Sequence, residues 1–245
     1  MRLRTTTTGT GSRRIGLVHG LGGSSELWQP VTRYLLETGQ YTVTTVDLRG
    51  HGESARASSY TLEDFAGDLA ESLPTGLDAL VGHSLGGSVL VRAVERLQPA
   101  RAVYLDPGFR LNLPTTGVTG RLFWLAPTLC LGVAGLVQAR RGARVRAGYS
   151  PEIRASLARS RSAFDAAMAP IVFKDVAHNP LPVAPPAVPS TIVLSDESPA
   201  VLPDDLATEL RNHGWRVCRL PGVHHDMHLE APHRSATAII GSFQP

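Results

Sequence analysis

The chain has 245 residues, long enough to bury a substantial core without disulfides or structural metals. Hydrophobic residues make up 42% and charged residues 18%, which argues against a disordered or fibrous chain. A formal charge of +3 is too small to indicate nucleic-acid binding, and the two cysteines, Cys130 and Cys218, form neither a CxxC pair nor a Cys/His cluster, leaving zinc and dithiol chemistry unsupported.

At the start of the chain, Arg2 and Arg4 are followed by the polar stretch Thr5 to Ser12 instead of an apolar run, so no secretory signal is read there. Met1 to Gly9 is a candidate edge strand. Short aliphatic and β-branched runs then recur, bounded by Gly, Pro or Asp, and predict buried strands at Arg14 to His19, Tyr41 to Asp47, Ala79 to His83, Ala102 to Asp106, Thr191 to Ser195 and Trp215 to Leu220. Between and after them, helical patterns run from Glu26 to Thr38, Thr61 to Leu73, Leu85 to Leu97, Pro203 to His213 and Glu230 to Phe243. Strands alternating with helices predict a parallel sheet covered on both faces.

The alternation stops after Asp106. From Pro107 to about Ser190 no strand is evident, and a structureless loop of that length is improbable, so a helical insertion is expected. Residues Pro107 to Pro180 hold ten basic side chains and three acidic ones. The apolar run Leu122 to Val137 contains Pro127 and falls short of the roughly 20 residues of a membrane span.

Gly82-His83-Ser84-Leu85-Gly86 lies where a predicted strand meets a predicted helix, the setting that G-x-S-x-G requires. A tight strand-to-helix turn needs small neighbours, which Gly82 and Gly86 supply, and it projects the Ser84 hydroxyl at the carboxyl edge of the sheet. A hydroxyl is a poor nucleophile until a base takes its proton. Candidate bases follow the last predicted strand, where Pro221 to Glu230 reads PGVHHDMHLE and offers His224, His225 and His228. The imidazole in turn needs a carboxylate on its second nitrogen. Asp196, directly after the predicted strand ending at Ser195, gives the order Ser, Asp, His along the chain. Two N–H donors for an oxyanion are expected from Leu85, after the nucleophile, and from Leu21, in the Gly-rich turn His19 to Ser24.

Taken together, His19-Gly20-Leu21-Gly22-Gly23, Asp47 to Ser54 (DLRGHGES), Gly82 to Gly87 (GHSLGG) and Pro221 to Pro232 resemble the α/β-hydrolase family. The resemblance runs from Ile15 to Ala100 and from Thr191 to Phe243; the stretch between looks like the family's variable cap. It implies that His225 is the catalytic histidine, with His224 standing where glycine is common. Asp196 matches the usual acid position, and Asp106 is a rival, because some members carry the acid at the end of the strand after the nucleophile helix. The resemblance gives Asp47, Arg49 and Ser54 structural roles. A serine nucleophile separates the chain from the epoxide hydrolases and haloalkane dehalogenases of this fold, which use an aspartate.

The expected fold is α/β, a doubly wound, mostly parallel sheet with helices on both faces. Its core is formed by residues 1–106 and 190–245, with a helical cap insertion at 107–189. The expected activity is hydrolysis of a small or medium carboxylic ester through Ser84, Asp196 and His225 and an acyl-enzyme, with Leu21 and Leu85 as backbone oxyanion donors. No cofactor and no metal are expected. The expected partner is a small-molecule substrate, for which the Arg-rich cap leaves an anionic class open. Nucleic acid and stable membrane insertion are not expected, and a cytoplasmic location is. The alternatives are a carbon–carbon bond hydrolase or lyase acting on an anionic carbonyl compound, and a non-catalytic small-molecule receptor. Phe123, Trp124, Leu125, Leu129 and Trp28 are candidates to line an acyl pocket.

Overall fold

A computed structural model describes residues 1–111, 113–127, 142–197 and 202–243. The aliphatic runs form one seven-stranded sheet: β1 (Arg4–Thr8), β2 (Arg13–Val18), β3 (Tyr41–Asp47), β4 (Ala79–His83), β5 (Ala102–Leu105), β6 (Ser190–Ser195) and β7 (Arg216–Leu220). Their spatial order is β1-β3-β2-β4-β5-β6-β7. Every pairing is parallel except that of β1 with β3, so the threonine-rich N-terminal segment is an antiparallel edge strand.

Side chains alternate along the central strands and divide the core in two. On one face Ile15, Leu17, Ala79, Val81, Val103, Leu105 and Val193 pack with α1 (Gln29–Glu37) and with the C-terminal helix Pro232–Gly241. On the other face Val18, Leu80, Tyr104, Ile192 and Leu194 meet α2 (Leu62–Ser72) and α3 (Leu85–Leu97). Burying both faces is what allows near-continuous apolar strands.

Proline fixes two helix boundaries that periodicity alone runs together. The pattern from Glu26 to Thr38 divides into a 3-10 turn, Ser25–Trp28, and α1, which opens with Pro30 in its first turn. The pattern from Glu230 onward divides at Ala231, before Pro232. Proline lacks an N–H, so it suits the first helical turn and interrupts an interior. At α2 the start is set by a capping box, in which the Thr61 hydroxyl accepts from the Asp64 N–H and the Asp64 carboxylate accepts from Thr61 N–H.

Between β5 and β6 the described residues are helical: α4 (Gly117–Leu125), residues 142–147, α5 (Pro151–Ser162) and α6 (Ala169–His178). This segment docks on loops that leave the carboxyl ends of the strands. Ser160 Oγ lies 2.7 Å from Ser24 Oγ, and Ser156 Oγ donates to Glu26 at 2.9 Å. Arg159 forms an ion pair with Glu26, and Tyr60 Oη donates to Asp165 at 2.7 Å. Among the described residues, no helix is long and apolar enough to cross a membrane. After β6 come α7 (Asp204–Asn212), and after β7 the short α8 (Met227–Glu230) and α9 (Pro232–Gly241).

Candidate active site

Ser84 occupies the turn between β4 and α3 with φ 52° and ψ −116°, a backbone conformation rare for a side-chain-bearing residue. The turn survives because its neighbours are glycines. A Cβ at Gly82 would lie 2.5 Å from the Gly86 carbonyl oxygen, and one at Gly86 would lie 2.4 Å from that of Val18. Ser84 N–H donates to Leu105 O at 3.0 Å, which ties the turn to β5, and Gly87 N–H donates to Ser84 O at 3.0 Å, which starts the helix. The Leu85 N–H is at the N-terminus of α3, where backbone donors lack intrahelical partners.

The turn between β7 and α8 carries His225. His83 Nε2–H donates to the His225 carbonyl at 2.9 Å, and the two rings lie with centroids 4.7 Å apart, tilted by 43°. The Nδ1–H of His225 donates to Asp106 Oδ2 at 3.0 Å. Asp106 follows β5 at φ 44°, a strained position for an aspartate, and is buried. Ser195 at the end of β6 pins it, donating its N–H to Oδ1 at 2.9 Å and its hydroxyl to Oδ2 at 2.6 Å. Burial opposes ionisation of Asp106, but the hydrogen bonds from His225 and Ser195 outweigh it and hold its pKa below the ordinary carboxylate value. Burial likewise disfavours the imidazolium of His225, and the Asp106 hydrogen bond, with the charges of Asp226 and Asp106, reverses that and raises its pKa above 6.5.

The structure brings Asp106, and not Asp196, to His225. Asp196 is exposed, and its Oδ1 accepts the Val223 N–H at 3.3 Å, bracing the turn ahead of the histidines. Asp106 takes the place beside His225 because β5 ends one strand nearer the nucleophile than β6, and the Ser195 groups next to Asp196 are used to fix Asp106. The other two histidines are engaged elsewhere. His224 Nδ1 lies 3.0 Å from Glu230 Oε1, and its N–H donates to the same carboxylate at 2.8 Å. His228 is buried between Trp28 and His83, with ring centroids 4.9 and 4.4 Å away, and burial keeps it neutral.

The Gly-rich turn after β2 is held by two further histidines that the sequence reading did not single out for this role. His19 donates Nδ1–H to Gly20 O at 2.8 Å and accepts the Leu48 N–H on Nε2 at 3.0 Å. His51 donates Nδ1–H to Arg49 O at 2.9 Å and accepts the Gly22 N–H on Nε2 at 3.1 Å. A ring that donates from one nitrogen and accepts at the other is neutral, and burial lowers the pKa of His19 to about 4 and of His51 to about 3. Asp47 completes the brace by accepting the Ser25 N–H at 2.6 Å and the Glu53 N–H at 2.9 Å. Arg49 is buried against Asp68, with Nε 2.6 Å from Oδ2, and stacks over Phe65 at 5.7 Å. The DLRGHGES segment therefore shapes the turn that holds Leu21. The Leu21 and Leu85 N–H groups take no part in the backbone hydrogen bonds that close the two turns.

Ser84 and His225 line one cavity of about 320 Å³. Its apolar wall comes from Leu21, Leu27, Leu157 and Phe164 rather than from Phe123, Trp124 or Leu125. Leu125 is exposed on α4, and Trp124 donates its indole N–H to Pro114 O. Trp28 is fully buried in the core, and Leu129 lies outside the described residues. Arg161 and Asp226 are the charged side chains at the cavity wall besides the histidines. His83, His225 and Asp226 bring potential metal-ligand atoms within 4.8 Å of one another. Within this trio His83 Nε2 is engaged by the His225 carbonyl, a bond that helps to position His225.

Residues 17–238 match the alpha/beta hydrolase family. A pimeloyl-[acyl-carrier protein] methyl ester esterase of Sodalis glossinidius is 36% identical over 96 residues, 39% of this chain and 36% of its own. The dihydrolipoyllysine-residue acetyltransferase component of the acetoin cleaving system of Cupriavidus necator is also 36% identical, over 110 residues, 43% of this chain and 29% of its own. The matched stretch thus spans well under half the length of these relatives. Among solved structures, a hydrolase from Oleispira antarctica superposes with a TM-score of 0.77 at 19% identity, covering 99% of this chain and 95% of that one. The enol-lactonase from Burkholderia xenovorans LB400 does so with a TM-score of 0.72 at 19% identity, covering 99% and 96%. A strained serine turn, a buried Asp–His pair at the neighbouring strand ends and a match over most of the length lead to one conclusion: the chain belongs to the alpha/beta hydrolase family.

Proposed function

We propose that the chain is a serine esterase whose catalytic residues are Ser84, His225 and Asp106, with the helical segment 107–189 serving as a cap over the site. The observation that carries this reading is the Nδ1–H of His225 bound to the buried Asp106 carboxylate beside a cavity that Ser84 also lines. That hydrogen bond leaves Nε2 as the basic nitrogen, the tautomer a general base needs. His225 takes the Ser84 proton as Oγ attacks the ester carbonyl. The N–H groups of Leu21 and Leu85 receive the oxyanion. His225 then protonates the departing alcohol, and a water molecule activated by the same nitrogen releases the acid. The similarity to ester-cleaving relatives such as the pimeloyl-[acyl-carrier protein] methyl ester esterases supports an ester over other acyl compounds.

The test is hydrolysis of p-nitrophenyl esters of rising acyl length by the wild type and by Ser84→Ala. The expected result is turnover that falls at least about 10³-fold in the variant, the residue being substrate binding and the oxyanion site. Turnover by Ser84→Ala within tenfold of the wild type, or none by folded wild type on any ester, overturns the proposal.

A further inference from the structure

Two arginines in the last turn of α5, two residues apart, have different surroundings. Arg159 is neutralised by Glu26. Arg161 lines the cavity that holds Ser84 and His225, and among the described residues its guanidinium has no carboxylate within 4.0 Å and no hydrogen-bond acceptor. Several other arginines at the docking loops and strand ends are paired, Arg49 with Asp68, Arg4 with Glu53 and Arg219 with Asp204. A guanidinium at the wall of a small cavity with five donors and no partner is suited to an incoming carboxylate.

The remaining charges fix where that carboxylate belongs. His19, His83 and His228 are kept neutral by burial, so Asp226 is the fixed negative charge at the cavity wall. Asp226 stands on the His225 side, its carboxylate within 4.8 Å of ligand atoms of His83 and His225. The departing alcohol must face His225 to be protonated, so it lies toward Asp226, where a second negative charge is repelled. Arg161 belongs to the other wall. Three residues on, the Phe164 ring lies 5.0 Å from that of His51, which accepts the Gly22 N–H in the turn that carries Leu21. An anionic group on the substrate is therefore accommodated on the acyl part and not on the alcohol.

We propose that Arg161 is a specificity-determining residue that binds a carboxylate at the far end of the acyl group, so that the substrate is a half-ester of a short dicarboxylic acid. The cavity of about 320 Å³ is at the small end of ligand sites, which limits the acyl chain to a few carbons. This assignment rests on the esterase reading for its chemistry but not for its binding step.

The test compares monomethyl glutarate with methyl pentanoate, followed by pH-stat titration, in wild type, Arg161→Gln and Arg161→Lys. The wild type is expected to favour the charged ester in kcat/KM by about 10- to 100-fold, the range of one charge-assisted hydrogen-bonded contact. Arg161→Gln is expected to collapse that ratio toward one, Arg161→Lys to keep part of it, and added salt to lower it in the wild type. A wild-type ratio at or below one, or a ratio that Arg161→Gln leaves unchanged, overturns the proposal. Calorimetric binding of monomethyl glutarate to Ser84→Ala, with and without Arg161→Gln, separates the two readings. If no ester is turned over, at least tenfold weaker binding in the double variant still upholds the anion site, and equal or absent binding refutes it.

Discussion

Replacing Asp106 by asparagine removes one negative charge without changing volume, and the structure gives the consequence in detail. The carboxylate accepts from Ser195 N–H, from Ser195 Oγ and from His225 Nδ1. An asparagine keeps its oxygen for the Ser195 N–H and turns its NH₂ toward His225. Nδ1 then accepts, the ring proton moves to Nε2, and the nitrogen facing the nucleophile can no longer take a proton. In a serine protease triad the corresponding change costs about 10⁴ in kcat, and a loss of about 10³- to 10⁴-fold, or about 4 to 5.5 kcal/mol in the barrier, is expected here. Asp196→Asn serves as the internal comparison: it is exposed, its one side-chain hydrogen bond among the described residues is from the Val223 N–H, and an amide oxygen can keep it, so less than about twofold loss is expected. The assay is Ser84-dependent ester hydrolysis across pH, with circular dichroism to show that both variants fold. In the wild type the acid limb of kcat/KM should lie above pH 6.5, because His225 must be neutral to act and its pKa is raised. A 10³-fold loss in Asp196→Asn together with near-normal Asp106→Asn would refute the assignment.

Further outcomes follow from the same structure. Gly86→Ala places a methyl group 2.4 Å from the Val18 carbonyl and 2.6 Å from that of His19, so β2 must move away from α3. A loss of about 3 kcal/mol in urea unfolding, with loss of activity, is expected, and unchanged stability would contradict the packing. His19 and His51 have folded-state pKa values of about 4 and about 3, below the unfolded 6.5. Their contribution is complete above pH 6.5 and is lost as pH falls, because the unfolded chain then binds protons that the folded chain refuses. Each contributes about 1.4 kcal/mol per pH unit between roughly pH 6 and 4, so the urea midpoint should fall steeply in that window and His51→Asn should flatten the slope.

The parts of the fold readable in advance were those written in local chemistry. β-Branched runs closed by Gly or Asp marked β2 through β6, and Gly82 and Gly86 flanking Ser84 marked the turn because only glycine fits there. Asp196 was expected beside His225, where Asp106 lies, because the two share a local signature, an aspartate closing an apolar parallel strand. What separates them is register across β5 and β6: Leu105 pairs with Val193, so the Ser195 donors meet Asp106 and leave Asp196 outside. Register is a property of two strands together and is not encoded in either. The same limit applies to Trp28, whose position after the Gly-rich turn suggested a pocket residue, whereas the rotation of the chain entering α1 buries it beneath the sheet. His51 was legible only as part of the DLRGHGES segment, because its bond to Gly22 joins loops from two strands.

The pairing of β5 with β6 also has a consequence for how the chain is made. All four β5 side chains are buried, and its outer edge pairs with β6, which lies beyond residues 107–189 in the chain. A ribosome adding about 5 to 20 residues per second needs several seconds to cross that interval. Throughout it, the nascent amino-terminal half presents Ala102 to Leu105 as an apolar strand with an open row of backbone donors and acceptors, the type of edge that recruits other chains. Aggregation during synthesis should therefore be sensitive to the length of the intervening segment and to chaperone supply, even for variants whose finished structure is as stable as the parent.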